Sequence, residues 1–287
     1  MTTWPNDGIH IGITDDQYHQ PELGVLSNSA IKHVLRSPAH YRAWIEGQIN
    51  LDSPALRFGR ALHCAVLTPF LFLQQYVAAP EFGDCRVKQN KVRRDEWRAA
   101  NADLIHLSAD DFVVLQGISR SVRANSTATK LLSESGQSEV AVRWHDGSVP
   151  CKAKLDRLTD SAIIDIKSCV DASPSGFQRS VETYGYHIQA AMYLGGAEQC
   201  GLSERPFNFI AVEKTPPFAV GVYTLDSAAI LAGKLRVQQA TNAIRHCLET
   251  GDWPGYADGE VELTLKPWIL EQGCEIPTQD ATESWGL

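Results

Sequence analysis

Nowhere in the 287 residues is there a run of 18 apolar side chains, so no segment has the make-up of a membrane-spanning helix. The stretch MTTWPNDGIHIG also lacks a basic region followed by an apolar one, the mark of a secretory signal. A cytoplasmic protein with no membrane partner is therefore expected. The seven cysteines (Cys64, Cys85, Cys151, Cys169, Cys200, Cys247, Cys274) are odd in number, scattered, and include no C-x-x-C. That spacing argues against a disulfide framework, a zinc ribbon and an iron–sulfur cluster. Bases are scarce late in the chain, where residues 249–283 hold Lys266 alone. No internal repeat or long linker divides the sequence, and 44% hydrophobic with 21% charged residues fits one domain over 1–287.

What is present centres on residues 149–169, VPCKAKLDRLTDSAIIDIKSC. Alternation places Lys152, Lys154 and Asp156 on one face of a first strand, and Ile163, Asp165 and Lys167 on one face of a second. A two-residue turn at Asp160 and Ser161 sets Asp156 directly across from Asp165, with Lys167 one step further along. Two carboxylates so close repel, and a hard cation such as Mg²⁺, with Mn²⁺ as a substitute, would offset them. Such an ion with an adjacent lysine suits phosphodiester chemistry. A solvated hairpin with surface charges is the plainer reading, but Asp165 and Lys167 interrupt an apolar run, where an unpaired charge is expensive.

The formal charge of −8 does not favour nucleic acid, whose binding proteins neutralise phosphates. Yet RVKQNKVRRDEWR concentrates Arg86, Lys88, Lys91, Arg93, Arg94 and Arg98, a basic arm that fits either DNA in a groove or a solvated loop. Helices are expected over LSNSAIKHVLRS, capped by Ser27 or Ser29, over PAHYRAWIEG after Pro38, and over ALRFGRALHCAVLTP. In the third, His63 lies beside the apolar stripe, and Gly59 suggests a close approach to that face. One long helix is expected from Ser108 to about Leu132. A three-stranded meander follows, with Glu139 at its start as a third acid or a surface residue. Gln189 and Tyr193 share one face of the helical stretch FQRSVETYGYHIQAAMYLGGAEQCG. Two more strands come before a last helix capped by Asp226. A closing coil is expected to pack through Trp253, Tyr256 and Trp268.

Taken in order, LSNSAIKHVLRSPAHY, FGRALHCAVLTP, CKAKLDRL with IIDIKS, YHIQAAMY and LETGDWPGY resemble the nuclease domain of RecE-type exonucleases (exodeoxyribonuclease VIII), in the RecB-like branch of the PD-(D/E)xK superfamily. The resemblance spans nearly the whole chain. It implies an α/β, restriction-endonuclease-like core with a central mixed sheet flanked by helices. An N-terminal helical part would cover 1–135, the catalytic core 136–226, and a C-terminal helix and coil 227–287. It also implies His63, Asp156, Asp165 and the main-chain carbonyl of Ile166 as metal ligands, Glu139 as a further candidate, and Lys167 as the catalytic lysine. Gln189 and Tyr193 match the Q-x-x-x-Y motif beside the active site. K-L-D stands where G-x-x-D is frequent in the branch.

Proteins of this type degrade linear double-stranded DNA 5′ to 3′ without ATP, and hand the 3′ strand to a RecT-type annealing protein in phage or prophage recombination. They form homo-oligomeric rings, a tetramer being favoured here over a trimer. The alternatives are an endonuclease of the same fold and a non-catalytic DNA-binding recombination module.

Overall fold

The computed structural model describes residues 6–49 and 53–269. In chain order the elements are β1 (Gly8–His10), α1 (Asp15–Tyr18), α2 (Asn28–Arg36), α3 (Pro38–Ile45), α4 (Pro54–Leu67), α5 (Pro69–Gln75), β2 (Tyr76–Ala79), α6 (Lys88–Ala100), β3 (Ile105–Ser108), α7 (Ala109–Ala124) and α8 (Ser126–Ser133). They continue with β4 (Gly136–Asp146), β5 (Val149–Thr159), β6 (Ile163–Cys169), α9 (Pro174–Tyr184), α10 (Tyr186–Gln199), β7 (Phe207–Glu213), β8 (Val220–Thr224) and α11 (Ser227–Thr250). A mixed six-stranded sheet runs β1-β4-β5-β6-β7-β8, and β2 pairs with β3 in a small parallel ribbon. β6 and β7 are parallel, their crossover supplied by α9 and α10.

Helices cover both faces of the sheet. On one side Ile31, Tyr41, Phe177, Ala190, Met192 and Ile244 pack with Val142, Leu155, Ile163 and Phe209. On the other, Leu62, Leu115, Ile118 and Val122 pack with Ile164, Ile166, Ile210 and Val212. The alternation of β6 is therefore decisive: Ile163 faces the first layer, Ile164 and Ile166 the second. Asp165, between them, is aimed at α10, where Gln189 meets it.

Local chemistry explains most of the boundaries. Ser27 caps α2 by accepting from Ala30 N–H, and Ser37, Ser53 and Ser173 each cap a helix whose first turn opens with proline. Asp226 caps α11, as expected. The meander also forms as expected, turning at Gly147 and again at Asp160–Ser161, where Thr159 N–H donates to Ala162 O. Gly233 lets α11 lie against α10, since a Cβ there would meet His187 O at 2.2 Å.

Other expectations are corrected. The helix from Ser108 breaks at Asn125, whose side chain accepts from Ala128 N–H and starts α8. Gly185, with φ 68°, ends α9 and divides what read as one helix. The basic arm is mostly helix α6, not a loop, and has no buried residue. Among the described residues, none comes within 4 Å of where a Cβ on Gly59 would stand. Trp253 stacks on Tyr41 at 5.8 Å, and Tyr256 accepts from Arg36, but Trp268 is exposed and leaves the closing coil unanchored there. Cys274 and the acidic stretch from residue 270 onward lie outside the described residues.

Candidate active site

The expected hairpin register holds only at its closed end. Arg157 pairs with Ile164 and Leu158 with Ile163; the next pair, Asp156 with Asp165, does not form. From there β5 stays with β4 while β6 stays with β7, so the two strands splay and the carboxylates sit at the fork. Splaying frees the main chain of Ile166 on the β5 side. Its N–H donates to Asp156 Oδ2 at 2.8 Å, and its carbonyl accepts from His63 Nε2 at 3.1 Å. The imidazole, carried to one side of the fork by α4, also lies 3.3 Å from Asp156 Oδ2.

Asp165 looks the other way. Its Oδ1 accepts from Gln189 Nε2 of α10 at 2.6 Å, and the Lys167 ammonium approaches Oδ2 at 2.7 Å. Among the described residues, no three His, Cys, Asp or Glu side chains converge as a metal-binding group. The reason is visible in these partners: His63 and the Ile166 N–H draw Asp156 to one side, while Lys167 and Gln189 draw Asp165 to the other.

Electrostatics follow from burial. Asp156 is pushed up to about 7, first by desolvation, with His63 opposing and Asp165 adding to the rise. Burial acts to lower Lys167, yet Asp165 and Asp156 outweigh it and hold the ammonium above its ordinary value. Tyr193 is buried, and desolvation followed by the nearby Tyr18, Asp165 and Asp156 drives its hydroxyl well above the usual range, against a hydrogen bond with Gln189.

The donor set suits a hard divalent cation. Asp165 Oδ2 is buried, with the Lys167 ammonium 2.7 Å away. The Ile166 carbonyl lies outside the β5–β6 ladder, and two carboxylates with one imidazole complete an oxygen-rich set.

Glu139 stands directly opposite Asp156 in the β4–β5 register but drops out of the ladder, with φ at 57°. Its carboxylate pairs with Lys154 at 2.8 Å, and Lys154 also binds Asp15. A non-glycine residue held left-handed within a strand stores strain next to the fork. Of the basic arm, Arg86 is tied to Asp84 and Arg94 to Asp95, while Lys88, Lys91 and Arg93 are exposed. Sequence reasoning missed Lys32 on α2. Desolvation, then the field of Lys167, lowers its ammonium, with Asp165 opposing, although the residue is solvent-exposed. Nothing in its α2 pattern, where it sits beside the buried Ile31, distinguishes it from a surface lysine.

A PDDEXK-like domain family of unknown function (DUF3799) matches residues 27–265. No curated protein matches the chain. Among solved structures, a provisionally named exonuclease of Eubacterium rectale is similar at 13% identity and TM-score 0.56, covering 93% of this chain and 100% of that one. An alkaline exonuclease of Laribacter hongkongensis shares 12% identity over 82% of this chain and 95% of that one, with a TM-score of 0.30, too low to bear on function. With the matched family spanning all the elements of the fork, from α2 to β8 and beyond, the chain belongs to the PDDEXK-like domain family, and its fold is that of the PD-(D/E)xK nucleases.

Proposed function

We propose that the protein is a divalent-metal-dependent exonuclease that digests linear double-stranded DNA 5′ to 3′ without ATP. The observation that supports this best is the splayed fork: two buried carboxylates, a lysine 2.7 Å from one of them and a main-chain carbonyl outside the β5–β6 ladder, held by His63. His63, Asp156, Asp165 and the Ile166 carbonyl would hold Mg²⁺ or Mn²⁺. Bound there, the ion would polarise a phosphate and supply a water of lowered pKa.

The protein's own groups do the rest. Lys167, held protonated by Asp165, presents positive charge to the phosphate as negative charge builds on it. Gln189 fixes the rotamer of Asp165 through its amide, and Tyr193 backs Gln189 with a hydroxyl that stays protonated. Glu139 would join the ligand set only by leaving Lys154. Lys88, Lys91 and Arg93 on α6 would meet phosphates without reading sequence.

The wider setting follows from the RecE-type likeness. The 3′ strand would pass to a RecT-type annealing protein in phage or prophage recombination within a bacterial cytoplasm, and the protein would act as a ring, a tetramer rather than a trimer. Among the described residues no helix is long and apolar enough to cross a membrane.

The test is end-labelled linear duplex beside a closed circle, each with and without EDTA. Release of 5′ nucleotides from the linear form alone, abolished by EDTA, is the expected result. Nicking of the circle would favour an endonuclease instead, and no cleavage of either would favour a non-catalytic DNA-binding module.

A further inference from the structure

A line of aromatic rings leads out of the fork. The Lys167 ammonium lies 5.0 Å from the centroid of Tyr186, the first residue of α10, and Tyr186 is anchored inward against Phe177 and Phe209 at 6.0 and 5.9 Å. On its outer side Tyr186 meets Tyr184, the last residue of α9, at 5.6 Å between centroids. Tyr184 is 56% exposed and has no such inward packing. The left-handed Gly185 makes the corner between them, and Val170, 87% exposed, lies just past the end of β6.

Tyr184 meets Tyr186 on one side and leaves the rest of its ring in water, open to a ligand. Tyr184 also stands a single ring away from the lysine that faces the scissile phosphate. A nucleotide whose phosphate reaches Lys167 carries its base on the same sugar, within reach of that corner. Bases in a continuous duplex stack on one another, so only a terminal or unpaired base offers a free face to an outside ring.

We propose that Tyr184 is a base-stacking platform for the terminal nucleotide of the strand being cut, with Tyr186 bracing it from behind. The assignment deepens the nuclease reading and rests on it. Stacking is indifferent to base identity, because every base has a π-face, so the platform would hold an end in place without imposing sequence preference.

The experiment uses a short duplex with 2-aminopurine as the terminal base, in Ca²⁺ to restrain cleavage, against the full chain and its Tyr184→Ala and Tyr184→Trp variants. The native protein should quench the 2-aminopurine. Tyr184→Ala should lose the quench and bind about tenfold more weakly, the scale of a single stack, while Tyr184→Trp keeps both. On a duplex whose terminal nucleotide is abasic, native and Tyr184→Ala proteins should bind alike. Equal quenching by Tyr184→Ala, or an equal drop in affinity on the abasic end, overturns the platform. Lys167→Ala run on labelled linear duplex separates the two readings. If the native protein cuts nothing, the nuclease reading fails; if Lys167→Ala cuts normally, the fork is not the active site and the platform falls with it; if the native protein cuts, Lys167→Ala does not, and Tyr184→Ala quenches and binds as the native protein does, only the platform fails.

Discussion

Asp156 Oδ2 accepts the main-chain N–H of Ile166 at 2.8 Å, so a side chain replaces a rung of the ladder between β5 and β6. This bond lets the strands part without leaving a buried donor unpaired, and the parting is what makes room for chemistry. The fork and its carboxylates are thus one feature, and a substitution in either should register in both.

Lys167→Ala should slow cleavage by about 10²–10³-fold, since it removes the charge aimed at the reacting phosphate. It also leaves Asp165, 1% exposed, without its counter-charge, which costs about 3–5 kcal/mol in the metal-free protein. Added Mg²⁺ should therefore raise the Tm of the variant by more than it raises that of the native protein. Thermal unfolding with and without the ion checks this.

Gln189→Ala should weaken divalent-ion affinity by about 10–100-fold while leaving the fold intact, because Asp165 loses the amide that orients it. Calorimetric titration with Mn²⁺ reads the change directly.

The raised Asp156 pKa makes stability depend on pH. Between its unfolded value of 3.8 and about 7, the folded form holds a proton that the unfolded chain has released. Stability from this group is accordingly greatest below that window and declines as pH climbs through it. In EDTA, Asp156→Asn should flatten the decline between pH 5 and 8, a difference on the order of 3 kcal/mol at the upper end. Urea unfolding at several pH values measures it.

Glu139→Gly should be more stable than Glu139→Ala by about 1 kcal/mol, because glycine adopts φ 57° without strain and alanine does not. Both variants lose the ion pair with Lys154, so the comparison isolates the backbone. Equal Tm values would mean that the strand relaxes.

Charge reversal at Lys88, Lys91 and Arg93 should reduce the salt dependence of DNA binding by up to about 0.9 for each phosphate no longer neutralised. Reversal at Arg86, already paired with Asp84, should change it less. Binding measured over a series of salt concentrations separates the two.

Much of this site was legible in the linear pattern. Apolar alternation marked β5 and β6, Ser27 and Pro38 marked the starts of α2 and α3, and Asp165 and Lys167 stood out as charges inside an apolar run. Other features carried no local signal. Asn125 and Gly185 break helices whose hydrophobic spacing continues across them, because a single capping or left-handed residue can outweigh the periodicity around it. The α6 helix has no buried face to set a period, so its pattern matched a solvated loop. Lys32 reads as any surface lysine.

The sequence by itself determined which residues could bear charge within the sheet and which strands carry them, since alternation and the cost of burying a carboxylate are local matters. Tertiary structure alone decided where those charges meet. The fork opens because β6 takes β7 as its partner and the Asp156 side chain takes the place of main chain, and only packing of α4 and α10 onto that opening brings His63 and Gln189 to it. These residues are far apart in the chain, and no local periodicity encodes their meeting.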